Sequence, residues 1–383
     1  MAPFKSGRAL TCTVRAARST WGRGAEDGEM EERTAVSAQE RLRVAIVGCG
    51  GVARTQHAPA YERLAQRGLV EVVATCDVDA SRAQALAERF GARAYPELSA
   101  LLERERPDVV DVCTPEDRHT EPVLAALQAG AHVLCEKIMS ESLASGRRMV
   151  EVARRCGRWL GVDYNYRFMP ALATAHDLIA AGALGELAVI GISAHAFCFH
   201  HALDLVRFLG SAAGEVVAVG AQYSATADPA YHFRVQLQEF VYVPSRCEVA
   251  TFRFASGALA VIYGTRFMDL RQQMLRVEVA GSAGRLVASG LTIQNVVGEL
   301  RRYRFSGDPS GPARRPEGEP VPLAVPSGAS PDFQLAFDWS ITAFIEAVAA
   351  GRRPPVTGED GLRVLELEHA IVRSAREGRF VEV

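Results

Sequence analysis

A short apolar run, Arg43–Val47, leads directly into Gly48-Cys49-Gly50-Gly51-Val52-Ala53, and a helical pattern follows over Val52–Gln66. Strand, glycine turn and helix in that order constrain this chain more than any other feature. Gly48 permits a tight turn. Gly50 lets the backbone approach a bound group, and Ala53, in place of a third glycine, still allows helix and strand to pack closely. The first N–H groups of a helix have no intrahelical partner and lie at the positive end of its dipole, so together they bind phosphate. Such a turn alone is a weak signal. Here a second apolar run, Leu69–Cys76, ends at Asp77. A carboxylate there accepts hydrogen bonds from an adenosine ribose and repels a 2′-phosphate. The pattern predicts a site for NAD rather than NADP, with Gly48, Gly50, Gly51, Val52, Ala53 and Asp77 as contacts.

The alternation continues. Strands are expected at Asp108–Cys113, His132–Cys135 and Trp159–Asp163, with helices at Ala80–Phe90, Glu97–Glu105, Asp117–Ala129 and Glu141–Cys156; Pro59 should break or kink the first helix. Strands alternating with helices imply right-handed crossovers and one parallel sheet, a Rossmann domain over residues 41–164. After Asp163 the texture changes. Helices are expected at Pro170–Ala181 and His201–Leu209. Alternating runs at Glu186–His195, Glu215–Tyr223, Phe233–Val243, Cys247–Phe254, Ala258–Tyr263, Leu275–Ala280 and Arg285–Ala288 read as strands. Ser306–Pro331, rich in Pro, Gly, Arg and Ser, reads as a mobile loop. Phe333–Ala350 and Glu359–Glu377 read as closing helices. The fold class is therefore α/β: an N-terminal Rossmann domain and, over 165–383, a C-terminal α/β domain with a large, mainly antiparallel open sheet for substrate and oligomer contacts. The closing helices, within 333–377, are expected to pack back on the Rossmann domain. Residues 1–40 are polar and aperiodic and read as a disordered extension, with Met30 a candidate translation start.

Composition removes several function classes. A formal net charge of −2 supplies no field for nucleic acid or an anionic membrane. No 18-residue apolar stretch is present to span a bilayer. The eight cysteines are scattered without a CxxC pair, so neither a disulfide framework nor a metal site is expected and a reducing cytoplasm is. The expected partner is a small-molecule substrate.

The most informative count is of lysine. Of 43 basic residues only Lys5 and Lys137 are lysines. Lys137 is thus the one lysine of the part expected to fold, at a position where a planar guanidinium does not replace an ammonium. In a parallel α/β sheet the ligand lies across the carboxyl ends of the strands. Thr114, Pro115 and His119 follow one such strand, although His119 equally suits a helix cap or the surface. Glu136 and Lys137 follow the next, toward the nicotinamide end. Tyr166 and Arg167, in Asp163-Tyr164-Asn165-Tyr166-Arg167-Phe168, follow the last and should face the cleft between domains, where Arg167 suits cofactor or substrate. His200, His201 and Asp204 open a helix, and an imidazole there can exchange the proton of a secondary alcohol as hydride moves.

Together VAIVGCGGVA, CDVD, VCTPEDRH, AGAHVLCEK, DYNYRF and HALDL resemble the glucose–fructose oxidoreductase / inositol dehydrogenase / rhizopine-catabolism (Gfo/Idh/MocA) family, from about Arg43 to Arg373. The resemblance implies nicotinamide-dependent redox chemistry on a sugar, inositol or sugar-like secondary alcohol or ketone, with Lys137 and His201 as catalytic residues. It also implies a homodimer or homotetramer built through the C-terminal sheet. Three departures stand out. Ile138 occupies a usual proline position, Phe197 stands where many members have a catalytic Asp, and the span from Gly185 to His201 is short. The apolar Phe197, Cys198 and Phe199 tilt the expected substrate toward a less polar one, such as a deoxysugar or a glycosylated aromatic. Two other readings compete: a cofactor-binding regulator that has lost turnover, and a reductase of a non-sugar such as a dihydrodiol or imine.

Overall fold

The computed structural model describes residues 41–223, 248–265, 269–305, 318–325 and 328–383. The expected extension over 1–40, the strand Phe233–Val243 and most of the loop Ser306–Pro331 lie outside them.

The first half alternates as β1 (Leu42–Val47), α1 (Ala58–Gln66), β2 (Val70–Cys76), α2 (Ala80–Phe90), β3 (Arg93–Tyr95), α3 (Leu98–Glu105), β4 (Val109–Val112), α4 (Thr120–Gln128), β5 (His132–Cys135), α5 (Leu143–Cys156) and β6 (Leu160–Val162). All six strands are parallel, in the order β3-β2-β1-β4-β5-β6. Strands covered on both faces read as continuous apolar runs, and β4 and β6 are buried at every position. Order reverses between β1 and β4, which opens a crevice at their carboxyl ends. Pro59 does not kink α1. A π-helical turn, Ala53–His57, precedes that helix and leaves Pro59 in its first turn, where a missing N–H costs nothing. The edge strand β3 was not expected, because three residues are too few to show a period.

The second half adds α6 (Pro170–Ala180), β7 (Leu187–His195), α7 (Phe199–Leu209), β8 (Val216–Tyr223), β9 (Glu248–Phe254), β10 (Leu259–Thr265), β11 (Leu275–Gly281), β12 (Gly284–Leu291), β13 (Glu299–Arg304), β14 (Glu319–Pro320), α8 (Gln334–Ala349), α9 (Gly358–Glu377) and β15 (Val381–Glu382). Among the described residues the sheet has nine strands, in the order β14-β13-β12-β11-β7-β10-β9-β8-β15. The pairing is antiparallel except between β7 and β10. Strands β13, β14 and β15 were missed. They lie at or next to the sheet edges, and Glu-Leu-Arg-Arg-Tyr-Arg in β13 has little apolar alternation to betray it. Strand β14 falls inside the segment read as loop.

The closing helices return to the first sheet. Phe337, Ile341, Phe344 and Ile345 of α8 are buried in one cluster with Val44, Ile46, Tyr61 and Leu64. Helix α9 begins with a capping box between Thr357 and Asp360, and a Cβ at Gly358 or Gly361 would strike Leu160 or Val162 of β6.

One close approach sets the crevice. Gly48 has φ +89°, and a Cβ there would lie 2.6 Å from both the carbonyl carbon of Cys113 and the nitrogen of Thr114. Neither is the end of a flexible side chain. Gly48→Ala is therefore expected to cost about 2–4 kcal/mol of stability, read by urea denaturation. A loss under about 1 kcal/mol would show that the turn relaxes freely.

Candidate active site

The dinucleotide turn is built as its residues require. The Gly48 N–H donates to the carbonyl of Cys76 at 2.8 Å. The Cys49 N–H donates to Asp77 Oδ2 at 2.7 Å, and the Asp79 N–H to Asp77 Oδ1 at 2.8 Å. The carboxylate is thereby fixed beside the turn, and each oxygen keeps a lone pair for a ribose hydroxyl. A Cβ on Gly50 or Gly51 would meet nothing within 4 Å, so the face in front of the first helical turn stands open. An open backbone face, unpaired helical N–H groups and a carboxylate at the end of β2 fit a dinucleotide. Thr114 and Pro115 lie at the neighbouring strand end and are partly or fully exposed.

Lys137 and His201 come together from different elements. The Lys137 ammonium sits 5.2 Å from the centroid of the Phe197 ring, a cation–π distance. That ring is 45% exposed. His201, in the first turn of α7, is buried and stacks on Tyr166 with centroids 3.8 Å apart and planes 4° from parallel; Tyr164 meets it edge-on. Its Nδ1 has no hydrogen-bond partner among the described residues. Burial, aided by the charge on Lys137, holds its pKa well below the usual 6.5, so the ring is neutral.

With that geometry in view, the matches to known proteins are coherent. Residues 42–164 match the oxidoreductase family with an NAD-binding Rossmann fold, and residues 194–383 match the C-terminal α/β domain of the same family. The chain belongs to the Gfo/Idh/MocA oxidoreductases. It is 29% identical to D-apiose dehydrogenase of Paraburkholderia graminis over 90% of each chain. It is 42% identical to D-glucoside 3-dehydrogenase of Escherichia coli over 149 residues, 39% of this chain and 42% of that one. The solved structure of levoglucosan dehydrogenase in complex with NADH and levoglucosan superposes with a TM-score of 0.74 at 23% identity, covering 90% of this chain and 99% of that one; at that identity it shows the fold. This protein is an NAD-binding oxidoreductase of that family.

Several side chains expected at ligand have partners within the protein. Arg167 forms a bidentate pair with Asp204, Nε to Oδ2 at 2.7 Å and Nη2 to Oδ1 at 2.5 Å, and reaches Asp360 at 3.3 Å and the carbonyl of Pro355. Both partners are buried, and each holds the other. They join the end of β6 to α7 and α9. His200 is also buried, with Nδ1 3.1 Å from Glu368 of α9, and burial lowers its pKa to about 3. The Tyr166 hydroxyl meets Cys198 Sγ and Met274 Sδ, so Tyr166 supports His201 from behind. His119 is buried and stands at the N-cap position of α4, but its side chain caps no helical N–H. Its two nitrogens lie 2.7 and 2.8 Å from the carbonyls of Ile138 and Thr114, which joins the two ligand-side loops. Glu136 turns inward, with one oxygen on His57 and the other accepting the Lys137 N–H at 3.0 Å.

Sequence reasoning missed that His57, Asp111, Glu136 and Asp163 converge. The available signal was Asp111, an acid inside the apolar run Val109–Val112.

Removing one member of the buried pair should act on stability rather than on binding. Asp204→Ala leaves a buried guanidinium short of its main partner and is expected to cost about 3–5 kcal/mol, read by urea denaturation, with NADH affinity of the folded protein unchanged. A weakened NADH affinity with stability intact would instead return the pair to the ligand.

Proposed function

We propose that this enzyme moves a hydride between NAD(H) and a sugar-like secondary alcohol or ketone, with His201 exchanging the hydroxyl proton and Lys137 positioning and polarising the same oxygen. The carrying observation is the neutral, buried His201 ring held flat against Tyr166 within the field of the Lys137 ammonium. A bound nicotinamide supplies the hydride acceptor or donor. In the oxidative direction the alcohol proton passes to a ring nitrogen of His201, a lone pair that is free because the ring is uncharged. Lys137 donates hydrogen bonds to the substrate oxygen and stabilises the negative charge growing on it. The Gly48–Ala53 turn takes the pyrophosphate, Asp77 the adenosine ribose, and Thr114 and Pro115 line the cofactor between them. The dehydrogenases named above act on apiose, a glucoside and levoglucosan, and a sugar-like substrate here rests on kinship with them. The half-exposed Phe197 ring beside Lys137 favours a ring compound with an apolar face, such as a deoxysugar, over a fully hydroxylated polyol.

The exposed side chains Val189, Val249, Leu259 and Tyr263 lie on β7, β9 and β10 of the large sheet, and this face suits a second copy of the chain in a homodimer or homotetramer. No helix among the described residues is long and apolar enough to cross a membrane. The free thiols Cys49, Cys76, Cys113, Cys135, Cys156 and Cys198 suit a reducing cytoplasm.

Lys137→Ala and His201→Ala are each expected to lower kcat by about 10²–10⁴-fold while NADH still binds, measured by NADH fluorescence and turnover on a panel of deoxysugars, polyols and dihydrodiols. Unchanged kcat in either variant removes that residue from the chemistry, and NADH binding with no turnover on the whole panel favours a regulator. Because burial holds His201 neutral, the oxidation rate should keep its plateau on the acid side to below about pH 6; an acid limb near 7 that vanishes in His201→Ala contradicts this. Asp77→Ser should raise NADP affinity and lower NAD affinity, and a parent enzyme that already prefers NADP overturns the ribose argument.

A further inference from the structure

Beneath the carboxyl edge of the first sheet lies a cluster that the chemistry above does not use. His57 ends the π-helical turn that follows the dinucleotide motif, and it is 0% exposed. Its Nδ1 is 2.8 Å from Asp111 Oδ2 of β4, its Nε2 is 2.9 Å from Glu136 Oε1, and Asp163 Oδ2, after β6, is 3.9 Å away. The second oxygen of Glu136 accepts the N–H of Lys137 at 3.0 Å. An unbroken chain of contacts therefore runs from the pyrophosphate turn, through His57 and Glu136, to the backbone of the reacting lysine.

We propose that His57 is a positioning residue that ties the dinucleotide-binding turn to the loop carrying Lys137, so that bound cofactor and lysine keep one geometry. The proposal rests on the reading of Lys137 as the reacting lysine. Both ring nitrogens face carboxylate oxygens, so both must donate, and the ring carries two protons. Burial alone would lower its pKa, but Asp111, through its charge and hydrogen bond, holds it well above the usual value. Three acids around one imidazolium leave an excess of negative charge. Burial and the neighbouring Glu136 charge push Asp163 up to about 7, so a proton on Asp163 relieves that excess. Among the described residues, the other groups packed against the ring bring no second cation to it. Tyr61 from α1 and Cys113 after β4 are uncharged, since burial raises the pKa of each. Phe337 of α8 covers the ring at 5.4 Å, and Ser340 of the same helix reaches Asp163. Ligand atoms of His57, Glu136 and Asp163 do lie within 4.8 Å of one another, as a divalent cation would need. The ring nitrogens, however, already stand at hydrogen-bonding distance from oxygens, which makes a proton the group that joins them.

The test exploits the scarcity of lysine. In the full chain carrying Lys5→Arg, Lys137 is the one remaining lysine, and its labelling by trinitrobenzenesulfonate can be followed by mass spectrometry of its peptide. Asn at position 57 places its amide where Nδ1 was and loses the Glu136 link, whereas Gln places it where Nε2 was and keeps that link. NADH is expected to slow Lys137 labelling by about tenfold in the Lys5→Arg parent and in His57→Gln, and hardly at all in His57→Asn, because a misplacement of about 1 Å is enough to undo a close contact. NADH affinity, read by fluorescence, should stay the same in all three. Should His57→Asn fail to fold, Glu136→Ala, which removes both the His57 contact and the acceptor of the Lys137 N–H, carries the same expectation. Full protection in the variant lacking the link overturns the strut, as does a loss of NADH affinity that accounts for lost protection. Failure of NADH to protect the parent overturns the placement of Lys137 beside the cofactor, and the strut with it. Metal analysis of the purified protein is a further check: a stoichiometric divalent ion that leaves in His57→Asn puts a metal where the proton was and overturns the protonated strut.

Discussion

Charge buried away from water has to be matched within hydrogen-bonding distance, and two such matches hold the cleft of this enzyme. The His57 cluster ties β4, β5 and β6 together beneath the cofactor turn. The Arg167–Asp204–Asp360 group ties the end of β6 to α7 and α9, and so carries the first sheet into the second half of the chain. Asp360 is at once the capping-box acid of α9 and an ion-pair partner, and although burial works against its ionisation, the Arg167 charge lowers its pKa to about 2. The start of α9 is therefore set by the same charge that sets α7. His201 sits between these groups on a helix anchored at Asp204, one turn further along.

This arrangement separates duties that look alike in a sequence. His200 and His201 are adjacent, yet one faces Glu368 of α9 and the other stacks on Tyr166, because successive residues of a helix point about 100° apart. Likewise Glu136 and Lys137 are adjacent, and the glutamate points into the protein while the lysine reaches the Phe197 ring. A motif of neighbouring polar residues thus contributes one member to the cleft and one to its support.

That division explains what was legible beforehand. The Gly48–Ala53 turn, Asp77 and the alternation of strands and helices were readable because each rests on contacts close in sequence or on a period. Lys137 stood out because lysine is scarce in the whole chain. The pairing of Arg167 with Asp204 was not legible, since nothing in either segment says that they meet each other across 36 intervening residues. The His57 cluster needs the order β1-β4-β5-β6 before its acids become neighbours. His119 was weighed evenly between contact and surface because its two carbonyl partners carry no signature in side-chain sequence. The short strands β3, β14 and β15 had too few residues to show a period, and β13 too little alternation.

Of the chain's departures from its family, Ile138 is buried with its carbonyl 2.7 Å from His119, while Phe197 lies at the exposed side of Lys137. The floor, made by β-strand ends, His57, His119 and Tyr166, is locked by short hydrogen bonds and stacking. Phe197 instead leaves almost half its surface in the open and touches Lys137 through the face of its ring. A carboxylate in that place would pair with the ammonium and offset its charge. An aromatic ring holds the ammonium by its quadrupole while leaving the full charge and all three protons available to the substrate oxygen. The loss of an acid beside Lys137 therefore does not by itself remove the chemistry. Under the proposed mechanism, proton acceptance then rests on His201, whose burial holds its pKa well below the usual value and so keeps the ring able to accept.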